Sequence, residues 1–306
     1  MKKSFFTSVI CFQIVTAPLS LFSQTYCGSS RYDTEIFSTV TTSVDIIYGQ
    51  NIGLAGGMKV LKMDVYEPTG DVASARPVIV MAHGGSFLAG SKSDADLVAL
   101  CNAFAKRGYV AASIDYRLGM GFPISQASAQ KAVWRATQDM RAAVRYFRKD
   151  AGSTNTFRAD SNMIFVGGAS AGGVMAVHYA YLDKPSEIPS AIDTTVLGGI
   201  EGNSGNPGYS SAVKAIVNIC GAIGDTSWME SGDEPLASAQ GNDDNTVPYC
   251  TEMISVSGFP VMIVSGSGSM VERANNLGIP NTIHTFYGQG HSSPAAPGNI
   301  DTTIVL

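Results

Sequence analysis

The chain predicts an α/β fold: a mostly parallel central sheet with helices on both faces and an antiparallel strand pair at its N-terminal edge. Three observations carry this. Short apolar runs alternate with longer helical stretches over most of the chain. The run Asn162-Met163-Ile164-Phe165-Val166-Gly167 breaks into a small-residue helix at Gly168-Ala169-Ser170-Ala171-Gly172. Several of the other apolar runs end in glycine-rich loops that carry polar, chemistry-bearing residues. The length, 306 residues with 45% hydrophobic and 15% charged, suits one large domain with a sizeable core.

Residues 1–23 read as a removable signal segment: Met1-Lys2-Lys3, then an apolar stretch interrupted by Thr7, Ser8, Gln13, Thr16 and Pro18, with Ser23 as a small residue at the boundary. A membrane anchor is the alternative. Loss of two lysines and no acid takes the formal charge from −5 to −7. The mature domain then covers residues 24–306, exported to the periplasm or medium of a bacterial-type cell. Residues 44–47 and 58–66 form the antiparallel pair around a glycine-rich turn at 53–57. Strands follow at 78–82, 110–115, 163–167, 213–219, the run before Gly241, 261–264 and 282–286. Helices fall near 94–106, 129–149, 171–181 and 270–276. The Gly/Ser/Pro/Asn-rich stretch 182–211 is a lid or a surface excursion. Residues 299–306 open a closing helix, which is either short or truncated.

The strand-to-helix break at G-x-S-x-G is a nucleophile elbow, with Ser170 on a strained turn at a helix N-terminus. Alone, the five residues fit an ordinary small-residue turn equally well. Three further elements decide it. The strand at 78–82 ends in His83-Gly84-Gly85-Ser86-Phe87, a loop whose backbone N–H groups can face an oxyanion. Gly84, Gly85, Ser86 and Ala171 are the candidate donors. The loop Gly241-Asn242-Asp243-Asp244-Asn245-Thr246-Val247-Pro248 supplies an acid. Asp244 leads, with Asp243 and then Asp225 behind it. The last strand runs into a glycine-rich loop carrying His291, the candidate base. His83 belongs to the donor loop and holds it through its ring. His178 lies eight residues beyond Ser170 on one helix, about 12 Å along the axis. His284 sits inside a strand. Both read as satisfied structural histidines.

The order Ser, Asp, His resembles the α/β-hydrolase superfamily. The similarity lies with the esterase/lipase branch that carries an HGG(G) oxyanion loop, which includes hormone-sensitive-lipase-like and bacterial feruloyl-esterase-like carboxylesterases. Supporting residues span about 59 to 291: Lys62-Met63-Asp64-Val65-Tyr66-Glu67-Pro68, Ser113-Ile114-Asp115-Tyr116-Arg117-Leu118, the helix around Gln138-Asp139-Met140-Arg141, and Asp244-x-x-Val247-Pro248. Ser86 replaces a third glycine, Ala169 replaces an acid, and Gln240 stands where many relatives have His. The resemblance implies an α/β-hydrolase fold and a serine carboxylesterase that forms an acyl-enzyme on Ser170, needs no cofactor and holds no metal. No Cys/His spacing suggests zinc. The ester is a small molecule or polymer-borne: polysaccharide-linked, feruloyl, lipid or polyester. A serine peptidase and a non-catalytic module on the same fold are the alternatives. The complete residue set argues against the module, and the HGG loop argues for esters. No basic run points to nucleic acid, and no stable membrane span remains after leader removal. Export leaves an even set of cysteines. Strand ends that adjoin in that fold imply a Cys220–Cys250 bridge, with Cys27–Cys101 pinning the N-terminal arm.

Overall fold

Residues 30–304 are described by the computed structural model; the leader expected at 1–23 and Cys27 lie outside them. The N-terminal strands are β1 (Val40–Ile52) and β2 (Met58–Pro68), followed by β3 (Arg76–Ala82), α1 (Ala95–Lys106), β4 (Val110–Ile114) and α2 (Gln126–Ala151). The middle of the chain holds β5 (Ala159–Ala169), α3 (Ala171–Tyr181), α4 (Thr194–Leu197), β6 (Ile216–Ile219) and the two-residue β7 (Ala222–Ile223). Last come β8 (Leu236–Gly241), β9 (Thr251–Val256), β10 (Phe259–Gly266), α5 (Ser267–Leu277), β11 (Asn281–Phe286) and α6 (Ile300–Ile304).

Eight strands form one sheet in the order β1-β2-β4-β3-β5-β6-β8-β11. The run from β4 to β11 is parallel, and β2 is antiparallel to both its neighbours. This is the expected α/β fold with its antiparallel N-terminal pair. Alternation along β3 shows how the strands divide the core. Val78, Val80 and Ala82 pack toward α2 and α3, while Ile79 and Met81 pack toward α1. Helix α1 buries Leu97, Leu100 and Phe104, each contributing about 1.5–3 kcal/mol by removal from water. Helix α2 begins at a capping box, where Ser125 and Ser128 exchange side-chain and backbone bonds. Its inner face, Ala132, Ala136, Met140, Ala143 and Phe147, follows the helical repeat.

One part of the chain departs from the expected plan, and a second shows how it is held. The strand expected at 261–264 does not join the main sheet. It lies within β10, which pairs with β9 and β7 in a separate three-stranded antiparallel sheet. Ser257 and Gly258, at φ 50° and 80°, form the two-residue turn between β9 and β10. Both central residues lie in the left-handed region, as a tight hairpin requires. The second is the stretch 182–211, which is an excursion stitched along α2. Trp134 Nε1 donates to Gly198 O at 3.2 Å, and Gln138 Nε2 to Leu197 O and Gly199 O at 2.9 and 2.8 Å. Ser204 Oγ donates to the buried Asp139, which also pairs with Arg117.

The expected Cys220–Cys250 bridge does not form; Cys101, Cys220 and Cys250 are free thiols, and the Cys27 partner expected for Cys101 lies outside the described residues. Cys220 takes a φ of 52°, which turns its sulfur inward toward the last loop, where it donates to His291 O at 2.9 Å. Cys250 stands exposed ahead of β9. Cys101 is fully buried between α1 and the sheet, in one cluster with Ile79, Leu97 and Phe104, and the arm at 32–37 is held to the end of α1 by backbone bonds, Tyr32 N to Arg107 O and Ile36 N to Lys106 O. Among those residues, no helix is long and apolar enough to cross a membrane.

Candidate active site

The carboxyl ends of β3, β5, β8 and β11 converge on one edge of the sheet, the place where parallel sheets hold their sites. Ser170 occupies the step from β5 to α3 with φ 56° and ψ −116°. A non-glycine residue there costs on the order of 1–3 kcal/mol and persists only because its surroundings hold it. Its N–H donates to Ile219 O at 2.7 Å, tying the turn to β6. The flanking glycines permit the closeness. A Cβ on Gly168 would stand 2.6 Å from Ala82 O, and one on Gly172 would stand 2.0 Å from the same oxygen.

Three of the expected residues meet in a row. Ser170 Oγ lies 2.9 Å from His291 Nε2, and His291 Nδ1 lies 2.7 Å from Asp244 Oδ2. Asp244 is reached from β8 through the turn at 242–243. Its Oδ1 accepts the N–H groups of Thr246 and Val247, both at 2.9 Å. Burial alone would raise the Asp244 carboxyl, but the His291 bond and these N–H groups hold it below its ordinary value. The row can pass a proton from the serine hydroxyl to the imidazole while the carboxylate fixes the ring's tautomer. Asp243 is exposed, and Asp225 caps a short 3₁₀ turn through Ser227 N. Neither joins the row.

The donor loop is held from behind. His83 Nδ1 donates to Gly84 O at 2.7 Å, and Tyr116 OH donates to His83 O at 3.0 Å. The two rings stack at 4.3 Å. Burial lowers the His83 pKa, keeping the ring neutral. Fixing the Gly84 carbonyl fixes the Gly85 N–H, which points the opposite way across the same planar peptide. Gly84 itself lies against the nucleophile turn, since a Cβ there would meet Ser170 Cβ at 3.3 Å. Ser86 and Phe87 both sit in the left-handed region, at φ 54° and 60°. Ala171 opens α3, where an N–H has no acceptor within the helix.

An apolar cavity, open at its mouth, extends from Ser170. Trp134, Trp228, Leu182, Ile192, Ile254 and Met262 form much of its wall. The excursion and the β9–β10 hairpin therefore supply what the main sheet does not. His178 also reaches this wall. Its Nδ1 donates to Val174 O at 2.7 Å, Nε2 accepts from Gly224 N at 3.3 Å, and its ring meets Trp228 edge-on at 5.5 Å. Burial pushes it down to about 4. His284 stays within β11, edge-on to Phe286.

Gln240 is the site residue that sequence reasoning missed. It is fully buried on β8, and its Nε2 donates to Asp244 Oδ2 at 3.2 Å and to Val247 O at 2.9 Å. Its Oε1 accepts Ser267 N at 3.0 Å. The hairpin was missed as well, although Ser257-Gly258 between two apolar runs is the signal for it.

Comparison with known proteins finds carboxylesterases and esterases. Mouse (Mus musculus) carboxylesterase 3B is 34% identical over 116 residues, 38% of this chain and 19% of that protein. Orangutan (Pongo abelii) carboxylesterase 3 is 34% identical over 115 residues, 37% of this chain and 19% of the relative. The matched segment thus spans about a fifth of those curated relatives. Among solved structures, Thermogutta terrifontis esterase 2 phosphorylated by paraoxon superposes with a TM-score of 0.59 at 21% identity, covering 86% of this chain and 90% of that one. The butyrate-bound form of the same esterase gives 0.60 at 19% identity, with the same coverage. At that identity the likeness speaks for the fold. Residues 63–234, more than half of the chain, match the family model of BD-FAE. The protein belongs to the BD-FAE family, an α/β-hydrolase family of the esterase/lipase type.

Proposed function

We propose that the protein is a serine carboxylesterase that works through an acyl-enzyme on Ser170. The observation that carries this reading is the unbroken row Ser170–His291–Asp244 opening into an apolar cavity. His291 Nε2 takes the hydroxyl proton as Ser170 Oγ attacks the ester carbonyl. Gly85, Ser86 and Ala171 offer backbone N–H groups to the resulting oxyanion, and none of the first two donates elsewhere among the described residues. The imidazolium returns its proton to the departing alkoxide. Water, activated by the same imidazole, then frees the acid. Asp244 stays ionised throughout and stabilises the imidazolium.

The cavity wall supports an apolar acyl group, aliphatic or aromatic, over a sugar. Trp134 Nε1 already donates to Gly198 O, and Thr137 Oγ1 to Val133 O, so these polar groups are satisfied within the protein. The alcohol side faces the mouth, so a small or a polymer-borne alcohol is compatible with it. The basic and apolar leader at 1–23 supports export. N-terminal sequencing of protein from the medium or periplasm tests that, with Gln24 expected first.

The decisive experiment measures hydrolysis of p-nitrophenyl esters from acetate to palmitate beside methyl ferulate. Ser170→Ala and His291→Ala should each lower the rate by several orders of magnitude without unfolding the chain, and the double variant should be no worse than either. More than a tenth of the parent rate in Ser170→Ala would overturn the assignment.

A further inference from the structure

Cys220 lies against the row of reacting groups and has no part in the chemistry above. Strand β6 delivers it to the same sheet edge as Ser170 and Asp244. The backbone holds it there, with Cys220 N donating to Ala239 O at 2.9 Å and a left-handed φ of 52°. Its sulfur is turned away from solvent, the residue being 2% exposed, and bonds the carbonyl of His291. One ligand atom each from Cys220, Asp244 and His291 lie within 4.8 Å of one another. Sulfur, imidazole nitrogen and carboxylate oxygen together make a donor set for a borderline-soft divalent ion.

We propose that Cys220, Asp244 and His291 form an inhibitory site for a thiophilic divalent cation such as Zn²⁺ or Cd²⁺. The ion bonds Cys220 Sγ, an oxygen of Asp244 and His291 Nδ1, the ring nitrogen that faces Asp244. The thiol gives up its proton to solvent. The proton on Nδ1 leaves that nitrogen, and Nε2 takes one up, so a single proton is released overall and nothing is oxidised. Nε2 then presents an N–H to Ser170 Oγ and has no lone pair for the serine proton. Turnover stops because the base is spent, an effect that rests on the carboxylesterase reading, whereas binding does not. Zinc bonds run about 2.0–2.3 Å, so tetrahedral ligands stand roughly 3.3–3.7 Å apart: the Nδ1–Oδ2 pair, now 2.7 Å, must open by roughly 0.6 Å, and a pair at the 4.8 Å limit must close by about 1 Å. The His291 side chain is 23% exposed, which gives the ion its entry path.

The test titrates the full chain with Cd²⁺ and, separately, Zn²⁺. One readout is p-nitrophenyl butyrate hydrolysis, scaled to each variant's own metal-free rate. The other is the ultraviolet thiolate-to-cadmium charge-transfer band, which needs no turnover. In the parent protein the ion should inhibit reversibly, with activity restored by EDTA, and the band should rise in step. Cys220→Ala should need at least about tenfold more metal for half inhibition and lose the band. Cys220→Ser, which keeps a donor for His291 O, should behave alike and serves if the alanine variant fails to fold. Cys250→Ser should change neither readout, and His291→Ala should bind more weakly. Equal sensitivity in both Cys220 variants, a band that vanishes only with Cys250→Ser, or a parent protein without band or inhibition would each overturn the site. A Cys220-dependent band in a chain without esterase activity would keep the site and reject the carboxylesterase reading.

Discussion

Gln240 shows how an uncharged side chain governs a charged one. Its amide reaches the same carboxylate oxygen of Asp244 that faces His291, while its other bonds hold the acid loop to the start of α5. Removing it takes away one of the two bonds at Asp244 Oδ2 and strands a buried N–H and a buried carbonyl, at a cost of about 1–3 kcal/mol each. Gln240→Ala should therefore lower kcat by about tenfold while KM stays within about twofold, since the interaction orients the base and touches no substrate. Gln240→Glu should be worse, because it sets a second carboxylate against the first. Steady-state kinetics on p-nitrophenyl butyrate beside urea unfolding check this. Unchanged kcat with lost stability would reduce Gln240 to a structural role. Ser170, Asp244 and His291 were legible because each follows a strand, in a loop whose glycines and turn residues announce a chain end bent for exposure. Gln240 was not, because a glutamine inside Leu236-Ala237-Ser238-Ala239-Gln240 shows its meaning only when the neighbouring loop folds back onto it. The cysteines misled for a related reason. Their even number says nothing about where a left-handed φ aims a sulfur.

The elements divide into a sheet that positions the chemistry and two additions that shape the space around it. The parallel strands were legible from apolar runs, because burial on both faces leaves little else for them to be. The additions were not. The run at 261–264 is as apolar as a central strand, yet its partner is β9 across a two-residue turn, so it walls the cavity. The stretch 182–211 stayed open between lid and excursion in sequence because its anchors, Gln138, Asp139 and Trp134, lie on a helix far upstream. Acyl selectivity should accordingly follow the additions. Trp228, on the 3₁₀ turn after β7, fills part of the cavity. Trp228→Ala should shift the kcat/KM optimum toward longer acyl chains, raising the octanoate-to-butyrate ratio several-fold, by about 1 kcal/mol of added apolar contact. The ester series reads it directly. An unchanged ratio would mean that the acyl group lies elsewhere.

At the scale of the whole molecule, acid should weaken the fold in two stages. His178 has a folded pKa near 4, against about 6.5 in an unfolded chain. Between those values the unfolded chain holds the extra proton, so stability falls as pH drops from about 6.5 to 4, by on the order of 3 kcal/mol. Above that window the contribution is complete. Asp244 acts in the next window, because its folded pKa lies below the ordinary carboxylate value. Its contribution is present above about 3.9 and is lost as pH falls through the folded value. Melting temperatures from pH 7 to 4 should drop less steeply in His178→Gln than in the parent, even if the variant starts lower. Parallel curves would assign the acid response to other groups. The tight seam of Gly168 and Gly172 against Ala82 has a consequence for anyone wishing to toughen this protein. Exchanging glycine for alanine stiffens the unfolded chain and adds about 0.4–1 kcal/mol wherever the native backbone accepts it. Along the seam that route is closed, because the new methyl would lie on a carbonyl oxygen. It is open at Gly57 and Gly199, where an added Cβ meets nothing within 4 Å and the backbone is not left-handed. Thermostabilisation of this scaffold thus begins at its outer turns and leaves the reacting edge as it stands.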